Sequence, residues 1–362
     1  MPPMARARDV IAAVERVAPP SLAEDWDNCG LQVGDPAAGV RRVLVALTPL
    51  PEVFDEAEET GADFLLFHHP LIFTPLKSVD TSSYPGDLIS RAVQSGLTVY
   101  TAHTSYDAAP DGVSVALARA LALNGSLKTI SPRGALRKLA VFVPVENAEA
   151  VAGALSEAGA GRIGDYTQVT FRTPGTGTFL PGEGSDPYLG ERDRLERVDE
   201  VRLETVVPAY LARSAVDAAT AAHPYEEVAL DIYPVEGSPE GCGYGRIGTL
   251  PEPLTPEELG AQVSRSLGFP ARLVSEGDRG SIRRVAVLGG SGGSFIPEVA
   301  ASGADAYVTG DLDYHDALLA ESLGLATIDA GHAATELPSL RPLADRLAES
   351  VGVPAEVSRG RR

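Results

Sequence analysis

Cysteine is almost absent from this chain of 362 residues: Cys29 and Cys242 are its only two, and they form no CxxC pair. A disulfide framework is thereby excluded, and thiolate metal ligation is disfavoured. Basic charge is scarce as well. Thirty Lys and Arg stand against 50 Asp and Glu, a formal net charge of −20, and a field of that sign opposes nonspecific adhesion to nucleic acid or anionic membrane while favouring cations. No apolar run approaches the roughly 20 residues that span a bilayer. The N-terminal stretch Met1 to Arg8 leads into an amphipathic helix pattern and not into the apolar core of a secretion signal. The expected location is therefore the cytoplasm. What remains is an ordinary globular composition, 44% hydrophobic and 22% charged, in a length that accommodates two or three domains.

Strand and helix patterns alternate from the start. Val10, Ile11, Val14 and Val17 share one helical face, and the apolar run Arg42 to Thr48 reads as a strand. Pro51 opens a helix that Gly61 closes. The strand Asp63 to Phe67 ends on a histidine pair, a helix covers Leu88 to Val93, and the strand Leu97 to Thr101 ends at Ala102-His103-Thr104-Ser105-Tyr106-Asp107. Asp111 is expected to cap a further helix that runs to Asn124-Gly125. Nearly continuous apolar strands of this kind predict a mostly parallel sheet covered on both faces.

From about Pro132 the order changes to strand 139–143, helix 148–157, strands 167–172 and 200–206, helix 209–222 and strand 228–233, a βαββαβ or ferredoxin-like unit. A Gly/Pro-rich excursion from Pro174 to Gly190 separates its middle strands. Alternation then resumes, with helices from Pro256, near Pro297, from Tyr314 and from Ala333, and strands 285–288, 306–308 and 325–328. The predicted architecture is α/β: a two-lobed, mostly parallel-sheet metal domain (1–131 and 242–362) interrupted by a ferredoxin-like insert (132–241).

The candidate chemistry sits at the strand ends, where α/β sheets deliver functional groups. Adjacent residues of a strand point to opposite faces, so His68 and His69 serve one site only if the strand ends there, and Pro70 ends it. His332 and Glu336, four apart at a helix start behind Gly331, project from one face about 6 Å apart. Asp107 lies past another strand end. Singly, each has an ordinary explanation as a hydrogen-bonded or capping residue. Together, three imidazoles and two carboxylates form a mixed nitrogen and oxygen set suited to two divalent ions of Zn, Fe, Mn, Co or Ni. Five protein ligands leave coordination positions for water, and a hydroxide held between such metals is a nucleophile at neutral pH. A division with Glu336 bridging, His68 and Asp107 on one ion, and His69 and His332 on the other is one arrangement among several.

The segments 68–73, 102–107, 309–317 and 331–336, with Trp26-Asp27-Asn28-Cys29-Gly30-Leu31-Gln32-Val33-Gly34, closely resemble the dinuclear-metal toroid proteins known as GTP cyclohydrolase I type 2 homologues, or Nif-three-like proteins. The resemblance runs from about residue 8 to 350. It implies that His68, His69, Asp107, His332 and Glu336 bind two metals, that the protein is a homohexameric ring with inward-facing sites, and that the insert is like the trimeric signalling proteins of nitrogen control.

Several residues are candidates for supporting roles. His103 could orient a ligand or shuttle a proton, and His315, in a polar cluster at a helix start, could orient ligands. Gly289 to Ser294 could form an anion nest or a tight turn near the metal. His223-Pro224-Tyr225-Glu226-Glu227 could be a polar site or a helix-ending turn. Trp26 is expected to pack, with Asp27 and Asn28 fixing a loop over the site, and Arg41, Arg42, Lys128, Arg133, Arg137, Lys138 and Arg246 could supply cations for a triphosphate. Two function classes follow. One is a metal-dependent hydrolase acting on a small molecule, with ring-opening hydrolysis of GTP or a related nucleotide as the leading case. The other is a non-enzymatic metal-handling or regulatory hexamer whose insert binds a partner or effector.

Overall fold

A computed structural model describes residues 5–360; Met1 to Met4, at the start of the N-terminal stretch, lie outside the described residues. Two compact units are formed, one by Met1–Pro132 with Gly241–Arg362 and the other by Arg133–Glu240.

The first lobe of the larger unit is a five-stranded sheet ordered Ala355–Val357, Val43–Ala46, Phe64–Phe67, Thr98–Thr101, Gly30–Val33. Neighbours are parallel except for the last, which runs antiparallel to Thr98–Thr101. Alternation along the strands divides the side chains between two cores. Val43, Val45, Phe64 and Leu66 pack with Val10 and Val14 of the helix Ala7–Val17 and with Leu340, Leu343 and Leu347 of the helix Leu340–Val351. Leu44, Leu65 and Phe67 face the opposite side, against Val53 and Phe54 of the helix Pro51–Thr60 and Leu88 of the helix Gly86–Gln94. Each such buried side chain stabilises the fold by about 1.5–3 kcal/mol, and burial on both faces leaves the strand ends as the sites where polar groups emerge.

The second lobe is a six-stranded sheet, Arg272–Ser275, Ala326–Asp329, Ala306–Gly310, Ile282–Ser291, Gly243–Leu254, Asn124–Pro132. Only Ala326–Asp329 with Ala306–Gly310, and the latter with Ile282–Ser291, are parallel; the outer pairings are antiparallel. The expectation of a mostly parallel architecture is thus corrected to a mixed one. The strands that make the difference were hidden by their composition, since Gly243–Leu254 carries three glycines and two prolines in place of an apolar run. Likewise the helix after Asp111 is Val113–Ala120, and Asn124 begins a strand. Gly112 occupies the cap position, because the Asp111 carboxylate is taken by Arg119 and Arg346.

The smaller unit follows the order Leu136–Pro144, helix Ala148–Glu157, Phe171–Phe179, Glu196–Pro208, helix Ala212–Ala222, Leu230–Val235. Its four strands are antiparallel, with the last beside the first and Phe171–Phe179 at the opposite edge. The second strand lies further along the chain than the expected 167–172. Pro174, Gly175 and Gly177 fall within it, and an edge strand tolerates them because one side of its backbone needs no ladder partner. Leu139, Val141, Val201 and Leu203 form its core with Val151, Leu155, Ala215 and Ala219 of the helices.

Arg246 shows how the larger unit handles a buried charge. It is 2% exposed, and its guanidinium donates to the carbonyls of Gly243, Gly245, Ala109, Pro110 and Gly241. Arg246 therefore ties Ala109 and Pro110, just beyond Asp107, to the strand Gly243–Leu254 of the second lobe, and it is not available to a triphosphate. Replacing it by Leu leaves those carbonyls unpaired at about 1–3 kcal/mol for each that stays buried and dry. Arg246→Leu is expected to lower the thermal midpoint by more than about 5 °C, and Arg246→Lys, lacking the planar fork, to recover less than half of that loss in a calorimetric scan. A midpoint unchanged in Arg246→Leu would contradict this role.

Candidate metal centre

His68 and His69 follow the strand Phe64–Phe67, and their consecutive amides donate to Ala46 O and Leu47 O at 3.1 and 2.8 Å. The regular alternation of the strand is broken there, so both rings turn to the same side, with centroids 5.2 Å apart. Asp107 closes the one-turn helix Thr104–Asp107, which is held down by Tyr106, whose buried hydroxyl donates to Ser339 O at 3.0 Å. His332 and Glu336 are the first and last residues of the helix His332–Glu336. Gly331 has φ +85° and ψ 145°, a combination open only to glycine, and it turns the chain from the strand Ala326–Asp329 into that helix. The close backbone approach at this turn is at Gly310, where an added Cβ would lie 2.6 Å from the His332 nitrogen.

These five residues come together. Glu336 is 2% exposed, and its Oε1 lies 3.3 Å from His68 Nε2 and 3.1 Å from His332 Nε2, while its Oε2 lies 3.1 Å from His69 Nε2. His68 Nε2 is 3.6 Å from Asp107 Oδ1, and His69 Nε2 is 3.2 Å from His332 Nε2. Three of these atoms, His68 Nε2, Asp107 Oδ1 and Glu336 Oε2, are buried without an aligned hydrogen-bond partner. Buried polar atoms are ordinarily satisfied, so three orphans in one place fit a group that the protein atoms alone do not supply. Three sets of ligand atoms each converge closely enough for an ion: His68, Asp107 and Glu336; His69, His332 and Glu336; and His68, His69 and His103. Glu336 belongs to the first two.

The opposite nitrogen of each ring is held in place. His68 Nδ1 meets Ala102 O at 3.0 Å, His69 Nδ1 meets Thr48 Oγ1 at 2.9 Å, and His332 Nδ1 meets Asp311 Oδ2 at 2.6 Å. Such partners fix the tautomer and point Nε2 at a metal. Asp311 and Thr48 were not anticipated. Asp311 has φ +56°, an uncommon conformation for a residue with a side chain, found where the surroundings impose it. It takes the orienting role that sequence reasoning gave to His315, which is exposed and meets the ring of Tyr314. The structure does not bring His315 into the cluster. His103 is brought in: its ring centroid lies 5.2 Å from that of His68 and 5.6 Å from that of His69, and its Nδ1 contacts Asp27 Oδ1 at 2.9 Å, leaving Nε2 free of that anchor.

The segments around the cluster serve mainly to support it. Gly290 donates its amide to Thr335 Oγ1 at 2.9 Å, and a Cβ there would lie 2.6 Å from Glu336 Oε1, so the glycine run begins in the end of the strand Ile282–Ser291, packed against Glu336, and the Gly290 amide is not free for an anion. Asp27 accepts from the Thr104 amide at 3.0 Å and Asn28 donates to Ile72 O, which anchors their loop beside the cluster. Trp26 does not pack inside; it is 62% exposed and meets Phe73, 49% exposed, edge to face at 6.1 Å. Both rings also flank His103, at 6.4 and 6.5 Å. Arg41 and Arg42 are paired with Asp63 and Glu356.

Charge in the metal-free cluster is balanced by protons. Burial opposes a charge on His68, but Glu336 and Asp107 outweigh it and raise its pKa to about 9. The Glu336 hydrogen bond, opposed by burial and helped by Asp311, likewise lifts His332 to about 9. Burial lowers the pKa of His69 and raises that of Asp107 to about 6. Burial would also raise Glu336, yet His68, His332 and His69 hold it well below the usual carboxylate range. Two imidazolium ions thus stand where cations fit, and a metal must displace their protons because only neutral imidazole ligates. Loading metal-free protein with Zn at pH 7.5 is expected to release about two protons per chain, the number on His68 and His332, measured by calorimetry in buffers of different ionisation enthalpy. Apparent affinity should rise from pH 6 to 9 and level off above. Uptake without proton release would contradict this picture.

Fold and site define an α/β protein with a buried histidine and carboxylate cluster that could hold metal. The model of the Duf34/NIF3 (NGG1p interacting factor 3) family matches residues 5–360, and the chain belongs to that family. It is 42% identical over 333 residues to a Bacillus subtilis (strain 168) protein named GTP cyclohydrolase 1 type 2 homolog, covering 91% of this chain and 89% of that one. A Mycobacterium leprae (strain TN) protein of the same name is 39% identical, with 98% and 92% covered. Among solved structures, a Bacillus cereus protein related to NIF3 matches with a TM-score of 0.87 at 41% identity, covering 99% of this chain and 98% of that chain. A Staphylococcus aureus protein matches at 0.72 and 30% identity, covering 99% and 97%.

Proposed function

We propose that this protein is a metal-dependent hydrolase whose cluster holds two divalent ions bridged by Glu336. His68 and Asp107 would hold one ion and His69 and His332 the other, with Glu336 common to both sets. The observation that carries this reading is that two of the three convergent ligand sets share Glu336 and together hold the orphaned buried atoms. When bound, such ions supply Lewis-acid polarisation and activate water near neutral pH. The chain's own contribution is positioning: Ala102, Thr48 and Asp311 orient the three imidazoles, and Asp27 holds His103 so that its Nε2 can move a proton beside the cluster. The exposed faces of Trp26 and Phe73 offer a stacking surface for a planar heterocycle. That surface, with the names carried by the relatives, favours a nucleotide such as GTP as substrate and ring-opening hydrolysis as the reaction.

The smaller unit is read as a ferredoxin-like insert spanning 132–241, supported by its βαββαβ order and by the strand order fourth, first, third, second. The assembly is proposed as a homohexamer in the cytoplasm, on the resemblance to toroid proteins. No helix among the described residues is long and apolar enough to cross a membrane.

Protein loaded with Zn or Mn is expected to turn over GTP or another member of a nucleotide panel. His68→Ala should abolish turnover through loss of metal, whereas His103→Gln should keep the metal and lose about 10²–10⁴-fold in kcat, as for a removed proton-transfer group. Turnover that survives His68→Ala would sink the mechanism, and absence of turnover across the panel would favour the non-enzymatic metal-handling assembly.

A further inference from the structure

A cavity of about 470 Å³ lies wholly within the smaller unit, with aromatic walls from Phe142, Phe179, Tyr188 and Tyr225 and a carboxylate, Glu200, among its lining residues. Its size is that of a small-molecule pocket. The Gly/Pro-rich excursion forms one wall by folding back: the Asp186 amide donates to Glu226 Oε1 at 2.9 Å, and the rings of Tyr188 and Phe179 lie 6.3 and 5.9 Å from that of Tyr225. His223 sets Tyr225 in place. Its Nε2 donates to Phe142 O at 3.0 Å and its Nδ1 accepts the Tyr225 amide at 3.1 Å, so neither nitrogen is left for a ligand.

Glu200 decides the chemistry. It is 8% exposed, on the strand Glu196–Pro208, and it accepts the Tyr225 hydroxyl at 2.9 Å. No Lys or Arg lines the cavity, and its other carboxylates, Glu226 and Glu227, add to the negative field. A buried carboxylate that accepts one neutral hydroxyl keeps unused acceptor capacity in a place where desolvation is costly. An anion such as a nucleotide phosphate is repelled there, and a neutral apolar molecule leaves the carboxylate uncompensated. A protonated amine satisfies it, and aromatic faces around an ammonium group add cation–π attraction.

We propose that this cavity is a binding site for a small organic cation, a protonated amine on an apolar or aromatic body, with Glu200 as its counter-ion. Nothing in the metal cluster enters this site, and its test is independent of hydrolysis. Tryptamine, phenethylamine and benzylamine, their neutral counterparts tryptophol, 2-phenylethanol and benzyl alcohol, and the anion indole-3-acetate serve as probes. They are titrated into the full-length, metal-loaded protein by calorimetry. At least one amine is expected to bind saturably, one per chain, at least tenfold more tightly than its alcohol counterpart, and indole-3-acetate not at all. Glu200→Gln, nearly isosteric, should weaken the amine at least tenfold and erase its preference over the alcohol without changing metal content. Failure of every amine to bind, alcohols binding as tightly as amines, or a preference that survives Glu200→Gln would overturn the proposal. Should Glu200→Gln not fold, the comparison of amine with alcohol on the unmodified protein decides alone.

Discussion

The structure depends on one carboxylate held inside the protein among three imidazoles. Glu336 is removed from water at a cost no single partner repays, and it contacts His68, His69 and His332 at 3.1–3.3 Å. Much of the neighbouring architecture follows from keeping it there. Glycine at 290 leaves room for its Oε1, Thr335 ties the Gly290 turn to its helix, and Tyr106 binds the helix carrying Asp107 to Ser339, three residues beyond Glu336. In the metal-free state two protons supply the compensating charge. In the proposed state two divalent cations do so, exceeding the charge of the two carboxylates, Glu336 and Asp107.

The residues that meet in the cluster were legible because each belongs to a segment that follows an apolar strand. His68-His69 before Pro70 and His332 behind Gly331 are combinations with little use inside a regular element, and the structure shows the turns that make them converge. The residues that orient them were harder to see. Asp311 reads as one more acidic residue before a helix cap, and what distinguishes it, a positive φ and a contact to a ring 21 positions away, is tertiary. Thr48 is invisible for the same reason. His315 drew attention by residue type, yet it lies on the exposed side of its helix. Trp26 was expected to pack, whereas its exposed ring flanks the site.

The fold was legible where burial writes a period into the chain and obscure where backbone hydrogen bonds act without it. Helices such as Pro51–Thr60 and Pro256–Leu267 were marked by proline at the start and glycine at the end. The strand Gly243–Leu254 had no such signature, and both of its pairings in the second sheet are antiparallel. The excursion after Phe171 looked like loop because it is rich in glycine and proline. Half of it is an edge strand and half is the wall of a cavity, two settings in which those residues are tolerated for different reasons.

The central claim is that Glu336 bridges two ions. Elemental analysis of the purified protein and of two variants tests it most directly. The account predicts about two divalent ions per chain in the unmodified protein, one in Asp107→Ala, and none in Glu336→Gln, because both ions lose their shared ligand. Two ions retained in Glu336→Gln, or none in the unmodified protein after loading with Zn or Mn, would contradict it.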